Sequence, residues 1–174
     1  MVPMDSEKLS NRRKQPGHDQ TYRESEGNFI AVARQCLDEA MYEIIEQPRE
    51  LRDLFPKALC DDRVLGIQPE AVIINRATSR RIFFEVKKQD DSGNAEERAC
   101  KHHTVAFYDT MRKRYGYEYH PFVTIFCEGL AINPRYTRKF PSYFEESQYF
   151  LWEDYDQELL ETFLRERCRD WIDP

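Results

Sequence analysis

No run of about eighteen apolar residues, the length a helix needs to cross a bilayer, occurs in the 174-residue chain. The stretch from Met1 to Ser25 is polar and holds no apolar core of the kind an export signal carries. Neither a membrane span nor a secretory leader is expected, and a cytoplasmic location is. Cysteine is sparse: the five, Cys36, Cys60, Cys100, Cys127 and Cys168, are odd in number, scattered and without a CxxC pair. Reduced thiols are therefore expected rather than a disulfide framework. Zinc is disfavoured as well, because Cys100, His102 and His103 have no CxxC partner and a helix would turn His102 away from its neighbours. No internal repeat or second domain is legible. The chain also lacks an excess of positive charge, with 26 Lys or Arg against 32 Asp or Glu and a net charge of -6.

What is present bounds the fold. With 40% hydrophobic and 13% aromatic residues, the chain has material for one core. Residues 1–26 read as a polar segment, either a flexible tail or an arm that wraps DNA, with a basic cluster at Arg12, Arg13 and Lys14, and residues 27–174 as a single domain. The charge is unevenly spread. Residues 76–114 hold ten Lys or Arg against six Asp or Glu, leaving 16 against 26 elsewhere. An acidic body with one basic stretch suits a polyanionic partner that is bound in one place and repelled elsewhere.

That basic stretch contains a strand with chemistry on it. In Arg81-Ile82-Phe83-Phe84-Glu85-Val86-Lys87, alternation puts Ile82, Phe84 and Val86 on one face and Phe83, Glu85 and Lys87 on the other. Glu85 and Lys87 thus project together. A carboxylate beside an ammonium suits metal-assisted hydrolysis of a phosphodiester: the oxygen ligates a hard cation such as Mg²⁺, and the ammonium orients water and stabilises developing negative charge. The run Ala71-Val72-Ile73-Ile74 should fold back on this strand through a turn at Asn75 to Arg80, bringing Glu70 next to Glu85. The alternative is an ordinary solvated strand face.

A helix is expected to follow. Asn94 is a good N-cap, Glu96 and Glu97 fall in the first turn, and Ala95, Ala99, His103, Ala106, Phe107 and Thr110 recur at helical spacing. Adenine presents an N7 acceptor beside an N6 donor in the major groove. Glu97 can accept from adenine amino groups and Arg98 can donate to N7. The alternative is that both are helix-surface charges.

The order Pro69-Glu70, then Glu85-Val86-Lys87, then Gly93-Asn94-Ala95-Glu96-Glu97-Arg98-Ala99-Cys100-Lys101 resembles the type II restriction endonucleases of the PD-(D/E)XK superfamily, EcoRI/MunI-like and closer to the MunI side. The likeness continues through Pro121 to Gly129 and Tyr149 to Trp152 and covers most of the chain after about residue 25. The resemblance implies an α/β restriction endonuclease-like fold, a mixed central β-sheet flanked by α-helices, acting as a homodimer on double-stranded palindromic DNA beside a cognate methyltransferase. It implies Glu70, Glu85 and Lys87 as catalytic, with Mg²⁺ held by Glu70, Glu85 and the Val86 carbonyl. It further implies DNA binding by Gly93, Asn94, Ala95, Glu97, Arg98 and Lys101, reading an AATT core, with cleavage before that core to leave 5′-phosphates and four-base 5′ overhangs.

Glu70 stands where the family has aspartate, so its metal distance or coordination is in question. Only Lys88 to Ser92 separate Lys87 from Gly93, a shorter connection than in the relatives, and Ser92 stands where an arginine precedes their motif. A four-base AATT site with unread flanks is therefore expected. Two rivals remain: a sequence-specific DNA-binding protein of this fold impaired in cleavage, and a structure-specific repair or junction nuclease.

The remaining elements follow from periodicity and breakers. Residues 28–47 read as a helix with Ile30, Ala33, Leu37, Met41, Ile44 and Ile45 on one face, ended by Pro48, with Glu39 and Glu43 as distant candidates for the metal site. Arg49 to Leu65 reads as a short helix and loops, and Pro121 to Phe126 as a buried strand after a parallel crossover. Asn133 to Ser142 reads as loop with Arg135, Arg138 and Lys139 as phosphate candidates, and Gln157 to Ile172 as a helix with Leu160, Phe163, Leu164 and Trp171 inward.

Overall fold

The computed structural model describes residues 28–55, 66–90 and 93–174. Its five-stranded sheet has the order β1-β2-β3-β4-β5, comprising Tyr42–Glu46, Ala71–Asn75, Arg81–Gln89, Phe122–Glu128 and Tyr149–Trp152. The helices are α1 (residues 28–36), α2 (Ala95–Ala99), α3 (Val105–Tyr115), α4 (Gly129–Ile132), α5 (Pro134–Thr137), α6 (Phe140–Tyr143) and α7 (Gln157–Trp171). β1, β2 and β3 pair antiparallel, whereas β3, β4 and β5 pair parallel. The sheet is mixed, as expected, with β3 at its middle.

The β2–β3 turn forms because Asn75 Oδ1 accepts from the N–H groups of Ala77 at 2.8 Å and Thr78 at 3.1 Å. Period two holds along β3. Ile82, Phe84 and Val86 join Ala71, Ile73, Val123 and Ile125 in one cluster, which α1 and α7 cover with Phe29, Ala33, Leu160 and Leu164. Phe83 points the other way, into Val72, Phe107, Met111 and Phe122 under α3. Further along that face, Phe126 packs on Ala95, Ala99, Leu130 and Phe140 from α2, α4 and α6. Helices on both faces of this mixed sheet leave its strand ends as the accessible edge for a site.

Several sequence-based expectations change. The helix expected over residues 28–47 ends at 36, because Asp38 closes a turn: its carbonyl accepts from the Met41 and Tyr42 N–H groups and its Oδ1 from Ala40 N–H. Ile44 and Ile45 are strand residues of β1, with Ile45 left exposed. Glu43 pairs with Ile74 and contacts Arg76, at the end of β2 remote from Glu70, and the Glu39 carbonyl also bonds to Arg76. Neither glutamate approaches the site.

The single helix expected from Asn94 through Thr110 is two helices joined by a 3-10 turn, Cys100–His102. Thr104 restarts it, its Oγ1 accepting from Phe107 N–H at 3.1 Å. The phase shift exposes Ala106 and buries Met111. The loop expected over Asn133 to Ser142 carries α5 and α6, started by Asn133 Oδ1 accepting from Arg135 N–H at 3.0 Å and by prolines in each first turn. α7 follows its expected bounds and faces. Residues 50–55 form turns, while residues 56–65 and the segment 1–26 with its Arg12, Arg13 and Lys14 lie outside the described residues.

Candidate active site

The hairpin register puts Ala71 opposite Phe84, so Glu70 arrives beside Glu85 as its spacing implied. Glu70 Oε2 accepts from the Val86 N–H at 3.1 Å, which sets the Glu70 carboxyl against Glu85. Lys87 Nζ donates to Glu85 Oε1 at 2.5 Å. Burial pushes the Glu85 carboxyl up, but the bond from Glu70 and the Lys87 charge outweigh it and hold the group below the usual carboxylate range. Burial likewise pushes the Lys87 ammonium down, and the Glu85 charge more than restores it, leaving it above the ordinary lysine value. Glu85 is thus an anion and Lys87 a cation at neutral pH.

Sequence reasoning did not find the groups behind this pair. Thr124 is the β4 partner of Glu85, and its Oγ1 shares a 2.8 Å hydrogen bond with His103 Nε2. His102, which feels the Glu85 charge, stacks on Phe122 with ring centroids 4.6 Å apart. Burial pushes His102 down to about 4 and His103 to about 3, so both rings are neutral walls rather than cations. The adjacent His102-His103 pair was visible in the sequence, but only the fold reveals that it backs Glu85.

α2 lies next to β3. Gly93, Asn94, Glu97, Arg98 and Lys101 are exposed, as a surface offered to a partner requires. Ala95 is buried against Ala99 and Phe126, so its side chain faces the protein instead of a base. Glu96 is also buried, with Lys139 Nζ 3.8 Å from its Oε1. Of the phosphate candidates, Arg135 and Arg138 are exposed, while Lys139 leans on Glu96. The Asn94 side chain makes no cap hydrogen bond; Gln89 Oε1 accepts from Ala95 N–H instead, at 2.8 Å.

The family model for the type II restriction enzyme MunI matches residues 4–173. The chain belongs to the MunI family of type II restriction enzymes. A curated relative, type II restriction enzyme MunI of a Mycoplasma sp, is 24% identical over 180 residues, covering 86% of this chain and 89% of that protein. The crystal structure of MunI restriction endonuclease in complex with cognate DNA matches with a TM-score of 0.66 at 20% identity, over 84% of this chain and 96% of that one. The architecture is therefore the restriction endonuclease-like α/β fold, and the MunI family places the chain among site-specific deoxyribonucleases.

The Glu70–Glu85 pair has the donor chemistry of a hard-cation centre. Glu70 and Glu85 bring two carboxyl groups together at the edge of a buried region, hard oxygen donors of the kind a divalent ion takes. Among the described residues no cluster of three or more His, Cys, Asp or Glu side chains is placed to hold a metal. Carboxylate oxygens are donors of the kind hard divalent cations take, whereas zinc favours nitrogen and sulfur.

Proposed function

We propose that this chain is a Mg²⁺-dependent type II restriction endonuclease that hydrolyses double-stranded DNA at AATT with unread flanks, leaving 5′-phosphates and four-base 5′ overhangs. The observation that carries this reading is the contact of Glu70, Glu85 and Lys87 along the second half of β3, which leads into the helix that exposes Asn94, Glu97 and Arg98. Glu70, Glu85 and the Val86 carbonyl would hold the cation, which when bound supplies Lewis-acid activation of water and offsets charge on the scissile phosphate. Lys87 orients the attacking water and stabilises negative charge as it develops. Glu97 accepts from adenine amino groups, Arg98 donates to N7, and Gly93, Asn94 and Lys101 complete the contact surface. Ala95 supports the helix from below.

The protein acts as a homodimer in the cytoplasm, since a palindrome invites a two-fold partner with one cut per subunit. A cognate methyltransferase of the same restriction-modification system protects the host sites. No helix among the described residues is long and apolar enough to cross a membrane.

The experiment is digestion of a sequenced plasmid with and without Mg²⁺, with every end mapped and Glu85→Ala run in parallel. Cuts confined to AATT, indifferent to the flanks and lost in the variant, are the expected result. Cuts at only one flanking pair would overturn the four-base reading. Selective binding of AATT without cleavage would favour a DNA-binding protein, because Glu70 would then be locked on the Val86 N–H. Preference for branched DNA would favour a structure-specific nuclease.

A further inference from the structure

β3 delivers a third polar side chain on the face that carries Glu85 and Lys87. Gln89 is only 7% exposed, and its Oε1 accepts from Ala95 N–H, the first amide of α2. The opposite amide orientation would set two donors against each other, so the oxygen must face Ala95. The Nε2 group, which that orientation leaves behind, is buried with no hydrogen-bond partner among the described residues. An acceptor without a second donor would serve packing better. Gly93 closes over the same side chain: its φ is 136°, and a Cβ there would lie 2.4 Å from Gln89 Oε1 and 2.8 Å from Cδ.

We propose that Gln89 is a positioning residue that clamps the start of α2 to the catalytic strand, so that the fit of Asn94, Glu97 and Arg98 to DNA sets the placement of Glu85 and Lys87. This rests on the DNA-reading role given to α2 above. Residues two apart on a strand are separated by roughly 6.6 Å, so Gln89 and Lys87 are rigid neighbours. The chain between them and α2 is short: Gln89 and Gly93 bracket it, and the hydrogen bond to Ala95 spans it directly. A mismatched base that tilts α2 would therefore pull on the strand end at which Lys87 is held.

The test compares Gln89→Met, of similar length but without an acceptor, with Gln89→Glu, which keeps the acceptor and removes the stranded donor. Each full-length variant is checked for folding by thermal melting. Mg²⁺-dependent cleavage is then measured on the preferred palindrome and on its single-base variants, with kcat and KM separated. Gln89→Met should lose about 10–100-fold in discrimination, mainly through kcat on the palindrome, the scale of a small misplacement of catalytic groups. Gln89→Glu should keep the parent's discrimination. Amide exchange of Ala95 to Ala99 is followed in parallel and should accelerate in Gln89→Met alone.

A folded Gln89→Met with the parent's discrimination and exchange would overturn the proposal. If the parent itself shows no sequence preference, the functional reading fails while the exchange comparison still decides whether Gln89 holds α2. If Gln89→Met does not fold, Gly93→Ala, which displaces the glutamine without changing it, makes the same comparison.

Discussion

Replacing Gly93 with alanine should damage DNA recognition more than it damages the fold. The backbone φ of 136° lies where an L side chain is strained, at about 1–3 kcal/mol. The new Cβ would meet Gln89 Oε1 at 2.4 Å, so the glutamine must swing away and release the Ala95 N–H. An unmet buried donor costs about 1–3 kcal/mol more. The full strain is thus about 2–6 kcal/mol, but α2 is a five-residue helix at the rim of the core and can loosen locally, so global stability should register the lower end. At about 2–4 °C per kcal/mol for a chain of this size, the melting temperature should drop by about 4–8 °C. Gly116→Ala is the internal control: that glycine, the left-handed cap of α3, has φ 71° and nothing within 4 Å of its Cβ, so only the backbone strain applies. Thermal melting and competition binding with AATT and single-base variants would be read together. Equal melting losses in the two variants, with specific binding intact in Gly93→Ala, would refute the clash and the clamp it discloses.

Lys87→Met should lower the cleavage rate by about 10²–10⁴-fold while DNA binding persists, as measured by single-turnover digestion beside a gel shift. Chelation with EDTA should stop cleavage, and Mg²⁺ should restore it; metal-independent cutting would remove the roles given to Glu70 and Glu85. Thr104→Ala removes the cap of α3 and should cost about 1 kcal/mol in urea unfolding without altering the pattern of cuts. Acid should weaken the fold through His103, whose folded value of about 3 lies below its ordinary 6.5. The unfolded chain takes up that proton first, so this contribution is complete above 6.5 and is lost as pH falls from there toward about 3. Urea midpoints that rise between pH 7 and pH 5 would contradict this.

The β2–β3 hairpin was legible because two-residue alternation and a polar turn are local signals, and together they fix Glu70 against Glu85 without knowledge of the rest. The same logic misled at residues 28–47, where Ile30, Ala33, Leu37, Met41 and Ile44 mimic a helical stripe. Asp38 carries the stop, but its turn competes with an apolar period that fits both halves. Thr104 was an equally local signal, masked because His103 and Phe107 fit the phase of a continuous helix. The pull of Thr124 on the His103 ring, which accompanies the break, is a contact between residues 21 apart in sequence. Gln89 was illegible for another reason: its partner Ala95 is only six residues on, but nothing local says that a strand side chain rather than Asn94 meets the first amide of α2. The candidate site thus divides into a catalytic part written in local pattern and a supporting part written in tertiary proximity.

Helix termini normally consume the side chain that stands first. Here a strand glutamine meets the leading amide, and Asn94 is relieved of that duty. Its carboxamide, exposed, carries both a donor and an acceptor outward, the pair needed to grip one base edge in two places. An outsourced cap thereby lengthens the readable surface of a one-turn helix by one residue.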